Sequence, residues 1–197
     1  MARPRQFDEQ MVLDAAIELF WSRGFEGTSI EHISTSTGVG NGSIYAAYGN
    51  KLGLFLAVFE LYCDRRAAFI EEVVETAEGS AHDAVGNFFE AVIADCASQP
   101  GRRGCLMINS IAELGQRVPE VVSISARSTG RMEMSLANRL RQAGGESLDD
   151  RDVSALSAHL VLVSQGLIQL SRLGVAPDRL REIAEVSRKT LASYAAA

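Results

Sequence analysis

Between Thr28 and Tyr48 the chain has room for two short helices and one tight turn, and no other stretch constrains the fold as much. The segment reads TSIEHISTSTGVGNGSIYAAY. Thr28 and Glu31 have the S/T-x-x-E spacing of a capping box, which predicts a helix start. Ile30 and Ile33 give this helix one buried edge. Gly38 breaks it, Val39 follows as a small apolar anchor, and a further helix is expected over Asn41 to Ala47. Two helices of about two turns, joined by a glycine-containing turn, form a helix-turn-helix unit.

The flanking chain also reads as helix, and the expected fold class is all-α, with about nine helices. Leu13, Ala16, Ile17, Phe20 and Trp21 form one apolar face of a helix over Asp8 to Arg23, closed by Gly24. Asn50 is a good N-cap for a long helix from Lys51 to Glu78. Further helices are expected over Ser80–Ser98, Cys105–Gln116, Pro119–Ala143, Asp149 or Asp150 to Leu173, and Pro177–Tyr194. This divides the chain into a three-helix N-terminal domain, 1–50, and a larger helical domain, 51–197. Val153, Leu156, Leu160, Val163, Leu167 and Leu170 follow the alternating three-and-four spacing of a helix-packing seam. Leu180, Ile183, Ser187, Leu191 and Tyr194 form a looser stripe. Two such hairpins from two chains would make a four-helix bundle; the same residues would equally serve the chain's own core.

Composition excludes several classes. The three cysteines, Cys63, Cys96 and Cys105, are too few and too scattered for a disulfide framework. The three histidines, His32, His82 and His159, form no metal-binding pattern, so neither metal nor cofactor is expected. No apolar run approaches the roughly 20 residues that span a bilayer. The N-terminus carries no secretory signal. A cytoplasmic protein without membrane contact is the expectation. The net charge of −6 argues against nucleic-acid binding as a bulk property. Residues 1–50 do not reverse it, with three arginines against six carboxylates. Any DNA binding must therefore rest on placed groups.

Those groups are present. The span TSIEHISTSTGVGNGSIYAAYGNK, with the Gly24-Phe25 turn before it, resembles the N-terminal DNA-binding segment of TetR-family regulators. The match lies in Thr28, Ile33, Gly38-Val39, Gly42-Ser43, Ile44-Tyr45, Tyr48 and Asn50-Lys51. It is strong over residues 10–60 and beyond them extends only to size and helical layout. The resemblance implies a ligand-responsive DNA-binding regulator with a variable small-molecule domain, dimerising through its last two helices. The sequence departs from the pattern at Asn41, where a basic residue is common, and at Ser34 and Thr37, where alanines are. Losing a basic residue implies fewer phosphate contacts and a shallower salt dependence.

On this reading the helix from Asn41 enters a major groove. Asn41 reads a base edge, Gly42 and Ala46 keep the surface low, and Ser43 reaches a base or phosphate. Tyr45 offers its hydroxyl to a phosphate, or is a core aromatic. Tyr48 anchors the helix in the small core, its hydroxyl near the backbone. Lys51, at a helix N-terminus, favours a phosphate. Thr28 is either a helix cap or a DNA contact. Arg3 and Arg5 form a basic arm for an adjacent groove, or a solvated terminus.

The larger domain shows no nucleophile, phosphate loop or acid-base pair, so no enzyme is expected. Phe88, Phe89, Met107, Met132, His159 and Gln165 suit the wall of a small-molecule pocket, or an ordinary core with methionine as filler. Cys105 follows Arg102-Arg103-Gly104, whose cations would favour a reactive thiolate and an electrophile or redox sensor; the alternative is a small buried hydrophobe. Besides a repressor released from a palindromic operator by a small molecule, one rival is an all-helical small-molecule carrier whose N-terminal unit is only structural.

Overall fold

The structure, a computed structural model, describes residues 7–144 and 148–194. Among them are nine α-helices and no strand: α1 (Glu9–Arg23), α2 (Ile30–Thr37), α3 (Asn41–Tyr48), α4 (Lys51–Glu75), α5 (Ala81–Ser98), α6 (Leu106–Leu114), α7 (Pro119–Gly144), α8 (Asp150–Arg172) and α9 (Pro177–Tyr194). The expected helices are therefore all present, with ends displaced by a few residues. Local chemistry sets several of those ends. Asp8 caps α1 by accepting from Met11 N–H. Gly38 closes α2 in the left-handed region at φ 70, which a glycine adopts without strain. Ser80 and Asp83 form a capping box at α5, and Asp149 caps α8.

The described residues fall into two packed units. One runs to Asp64 and includes Leu106–Ser125; the other comprises Arg65–Cys105 with Ala126 onward. This differs from the division at residue 50 drawn from the sequence. The reason is that α6 returns to the early helices. The Tyr62 hydroxyl accepts from Leu106 N–H at 3.2 Å, and Arg117 pairs with Glu26 at 3.0 Å.

The first unit is built around aromatic rings. Phe55, on α4, meets Phe20 of α1 edge-on at 5.1 Å and Phe25 of the α1–α2 turn at 5.1 Å, while Phe59 stacks beside it at 5.5 Å. Offset and edge-to-face rings at these separations add to the gain from burial alone. Val12, Ala16 and Ile17 complete the buried face of α1; Leu13 and Trp21, expected on that face, are only half-buried.

In the second unit α5 packs against α8 and α9. Val85, Phe88, Phe89, Val92 and Ile93 of α5 are buried, as are Leu180 and Ala184 of α9. A two-pronged ion pair from Arg181 to Glu90, at 2.9 and 2.8 Å, ties α9 to α5. The Arg181 guanidinium, donating to both oxygens, holds the Glu90 carboxyl below its ordinary range.

One expectation needs correction here. Leu156, Leu160 and Leu167 are buried inside the chain, so the seam on α8 serves its own core. Val163, Leu170 and Ile183 are half-buried, and the Leu191 side chain lies outside the described residues. By length and mean hydropathy α8 could cross a bilayer, although polar residues interrupt its apolar run. Its apolar side chains Val153, Leu156, Leu160, Val161 and Leu167 are nonetheless buried, as in the core helix of a folded domain.

Phe55→Ala removes the ring that both Phe20 and Phe25 lean on. It should lower unfolding free energy by about 3–5 kcal/mol, read from denaturant titration followed by circular dichroism.

Candidate nucleic-acid interface

Helix α2 does not start where the sequence suggested. Its N-cap is Ser29, one residue later than Thr28. The Ser29 hydroxyl accepts from His32 N–H at 3.1 Å, and His32 Nδ1 accepts from Ser29 N–H at 3.2 Å. The reciprocal pairing is a capping box with histidine in the place of the expected glutamate. A glutamate-based template could not find it. Thr28 is instead 1% exposed. Its hydroxyl donates to the carbonyls of Gly24, at 2.8 Å, and Leu19, at 3.1 Å. It is neither the cap nor a surface group: it fastens the end of α1 to the start of α2.

Helix α3 is held from one side only. Ile44 is fully buried, with Ile33 and Val39 also in the core. Thr37 returns its hydroxyl to the Ile33 carbonyl at 2.8 Å, so the residue that replaces the usual alanine is satisfied within its helix. The other faces of α3 are open. Asn41, Gly42, Ser43, Tyr45 and Ala46 are exposed, Tyr45 at 49%. The expectation that Tyr45 could be a core aromatic is not met, because its ring lies on the open face. Gly42 faces open space, since a Cβ built there meets nothing within 4 Å. Packing within the chain gives no reason for a glycine at that point, the second residue of α3.

Tyr48 is half-buried at the end of α3. Its hydroxyl donates to Glu9 Oε1 at 3.1 Å and ties the end of α3 to the start of α1. Next to it, Asn50 accepts from Gly53 N–H at 2.8 Å at the start of α4. A Cβ at Gly53 would collide with the Tyr48 carbonyl. Gly53 thus lets α3 abut α4, a role that sequence reasoning missed; its signal was a glycine inside a helix that otherwise has none. Lys51 stands at the same helix start, its ammonium 4.2 Å from the centre of the Phe25 ring. Arg3 and Arg5 lie outside the described residues.

An exposed, one-sided α3 behind a capped α2 is the geometry of a reading head. Residues 12–58 match the family described as bacterial regulatory proteins, tetR family, and residues 81–187 match the tetracyclin repressor-like C-terminal domain. The chain belongs to the TetR family. It is 35% identical to the HTH-type transcriptional repressor ComR of Escherichia coli, over 92% of this chain and 88% of that one. It is 30% identical to the uncharacterized HTH-type transcriptional regulator YezE of Bacillus subtilis, over 97% and 100%. Among solved structures it is similar to a cysteine mutant of the TetR-family regulator CifR complexed with 26bp double-strand operator DNA. The TM-score is 0.77 and the identity 26%, covering 95% of this chain and 98% of that one. This TetR-family chain is a DNA-binding transcriptional regulator.

The candidate effector residues divide between the two packed units. Met107 belongs to the first packed unit and the other five to the second. There Phe88, Phe89 and Met132 are buried and Gln165 is half-buried, while His159 is exposed and lies 3.3 Å from the Ser187 hydroxyl. A half-open cleft of about 140 Å³ between α5 and α9 includes Phe89 but none of the others. Cys105 is 5% exposed, which shields its thiol from reagents in this conformation. Cys96 is more open, and burial together with the neighbouring Asp95 pushes its thiol up.

Ser29→Ala removes one half of the α2 capping box. It should cost about 0.5–2 kcal/mol of stability, measured by thermal unfolding, with α3 still buried through Ile44.

Proposed function

We propose that this regulator is a cytoplasmic repressor that binds a palindromic operator as a homodimer and is released by a small molecule. The observation that carries the reading is the open face of α3, where Asn41, Gly42, Ser43, Tyr45 and Ala46 are exposed. At Gly42 no side chain stands between the helix backbone and an approaching base edge or phosphate. Asn41 and Ser43 flank Gly42 and reach base edges, while Tyr45 gives its hydroxyl to a phosphate. Lys51 is held over Phe25 at the N-terminus of α4, where a cation and open amide groups favour an anion. The named repressor activity of ComR and the operator complex of CifR support the same assignment.

Dimerisation is proposed through the outward faces of α8 and α9, not through the buried leucine seam. Leu162 on α8 is 66% exposed and Val186 on α9 is 65% exposed. Large apolar groups on the last two helices suit an isologous two-fold contact. Such a pair would set the two copies of α3 about 34–36 Å apart, one helical turn of DNA, or further for spread half-sites. An effector bound in the second unit would change that separation and shift the equilibrium away from DNA.

The protein should bind DNA upstream of its own gene in competition with unrelated duplex, and binding should weaken with salt. The test is a fluorescence-anisotropy titration across a salt series; binding no tighter than to competitor DNA would favour the carrier function. Gly42→Ala separates folding from function. A Cβ there meets nothing within 4 Å, so stability should stay at or slightly above wild type while operator affinity weakens; equal affinity with wild type would remove the close approach at this helix. Leu162→Glu should give monomers in sedimentation velocity with the helical content retained.

A further inference from the structure

Glu113, on α6, reaches back to a turn 88 residues earlier in the chain. Its Oε2 accepts from Phe25 N–H at 3.0 Å and its Oε1 from Glu26 N–H at 3.0 Å. One carboxylate thus satisfies two consecutive amides of the segment joining α1 to α2. The fit is close: Gly24 stands at φ 73, and a Cβ there would lie 3.0 Å from Glu113 Oε2 and 3.2 Å from Oε1. Only glycine meets both demands without strain. Arg117, one turn further along, donates to Glu26 Oε1 at 3.0 Å and to the Glu113 carbonyl at 3.4 Å. The Phe25 ring beneath these bonds packs against Phe55 and carries Lys51. Sequence spacing gave no sign of this arrangement, since nothing local links residue 113 to residue 25.

The charge is notable for where it stands. The first 50 residues already carry an excess of carboxylates over arginines. A further carboxylate against a unit that must approach phosphates opposes binding by simple Coulomb repulsion. Its geometry supplies a reason for it. Hydrogen bonds to an ionised acceptor are stronger than neutral ones, and two on adjacent amides fix the direction of the chain as well as its position.

We propose that Glu113 is a positioning residue for DNA reading: it clasps the α1–α2 turn and sets the angle at which α2 and α3 leave α1. Helix α6 is then part of the reading head. The inference rests on α3 being the reading helix, but the clasp itself can be measured without DNA.

The experiment uses the full chain with Glu113→Gln and Glu113→Asp. The specific probe is a duplex selected by the wild-type protein from a randomised pool; the nonspecific probe is a scrambled duplex of the same length. Amide exchange at Phe25 and Glu26 is followed by NMR in the absence of DNA, and helical content and melting are recorded alongside. Glutamine loses the charge and one acceptor, while aspartate keeps the charge but loses reach. Both variants should show faster exchange at the two amides and roughly ten-fold weaker specific binding, with nonspecific binding no weaker and melting close to wild type. An ordinary surface charge predicts a different pattern: glutamine would strengthen binding to both duplexes, and aspartate would match wild type. That pattern, or unchanged exchange at Phe25 and Glu26, would overturn the proposal. Should the glutamine variant fail to fold, the aspartate variant carries the same test with the charge intact.

Discussion

The Phe55 ring is the contact on which the reading head depends. It lies on α4, yet its neighbours are Phe20 from α1 and Phe25 from the turn that follows α1, each at 5.1 Å. Helices α2 and α3 are too short to be stable alone, since isolated helices under about 12–15 residues are marginal in water. They persist because Ile33 and Ile44 are fully buried. The polar ties act at the edges of the same core. Thr28 closes the end of α1, Tyr48 joins α3 to Glu9, and Glu113 holds the turn from α6. Each is a single group fixing a direction that apolar burial alone leaves loose, because hydrophobic burial is non-directional.

That division of labour bears on how an acidic chain can bind DNA. With a net charge of −6, this regulator cannot rely on a general cationic field. Affinity must come from close, well-aimed contacts, and those demand a rigid head. The face around Gly42 is open, and the α1–α2 turn is held by two hydrogen bonds to one carboxylate. Specificity then depends on rigidity more than it would in a basic protein, where misaligned contacts are compensated by phosphate attraction.

The two ends of the chain solve different problems. In the second unit the α8 leucines that looked like a partner-binding seam are spent on the chain's own core, and the exposed apolar groups include others, among them Met134, Leu162, Leu173 and Val186. A helix with one buried and one exposed apolar stripe shows only the stronger of the two as a sequence period. The same ambiguity let α8 pass for a membrane-crossing length of chain, though its apolar side chains are buried inside the unit.

What the amino-acid sequence determined by itself is whatever depends on neighbours in the chain. The nine helices of the described residues follow from apolar periods and from glycine and proline breaks. Which face of α3 is open was not so determined: the sequence left Tyr45 either exposed or in the core, and the burial of Ile44 decided it. The family was legible in the run from Thr28 to Lys51. Tertiary structure decided whatever depends on groups distant in sequence or on which of two faces is buried. The cap of α2 passed to Ser29 because His32 turns its ring back to the Ser29 amide and Thr28 is drawn into the core. The Tyr48 hydroxyl went to a carboxylate 39 residues away, and Glu113 became a clasp on a turn 88 residues away. A spacing rule reads contacts that recur every three or four residues; it has no access to a pair that meets only when separate helices pack.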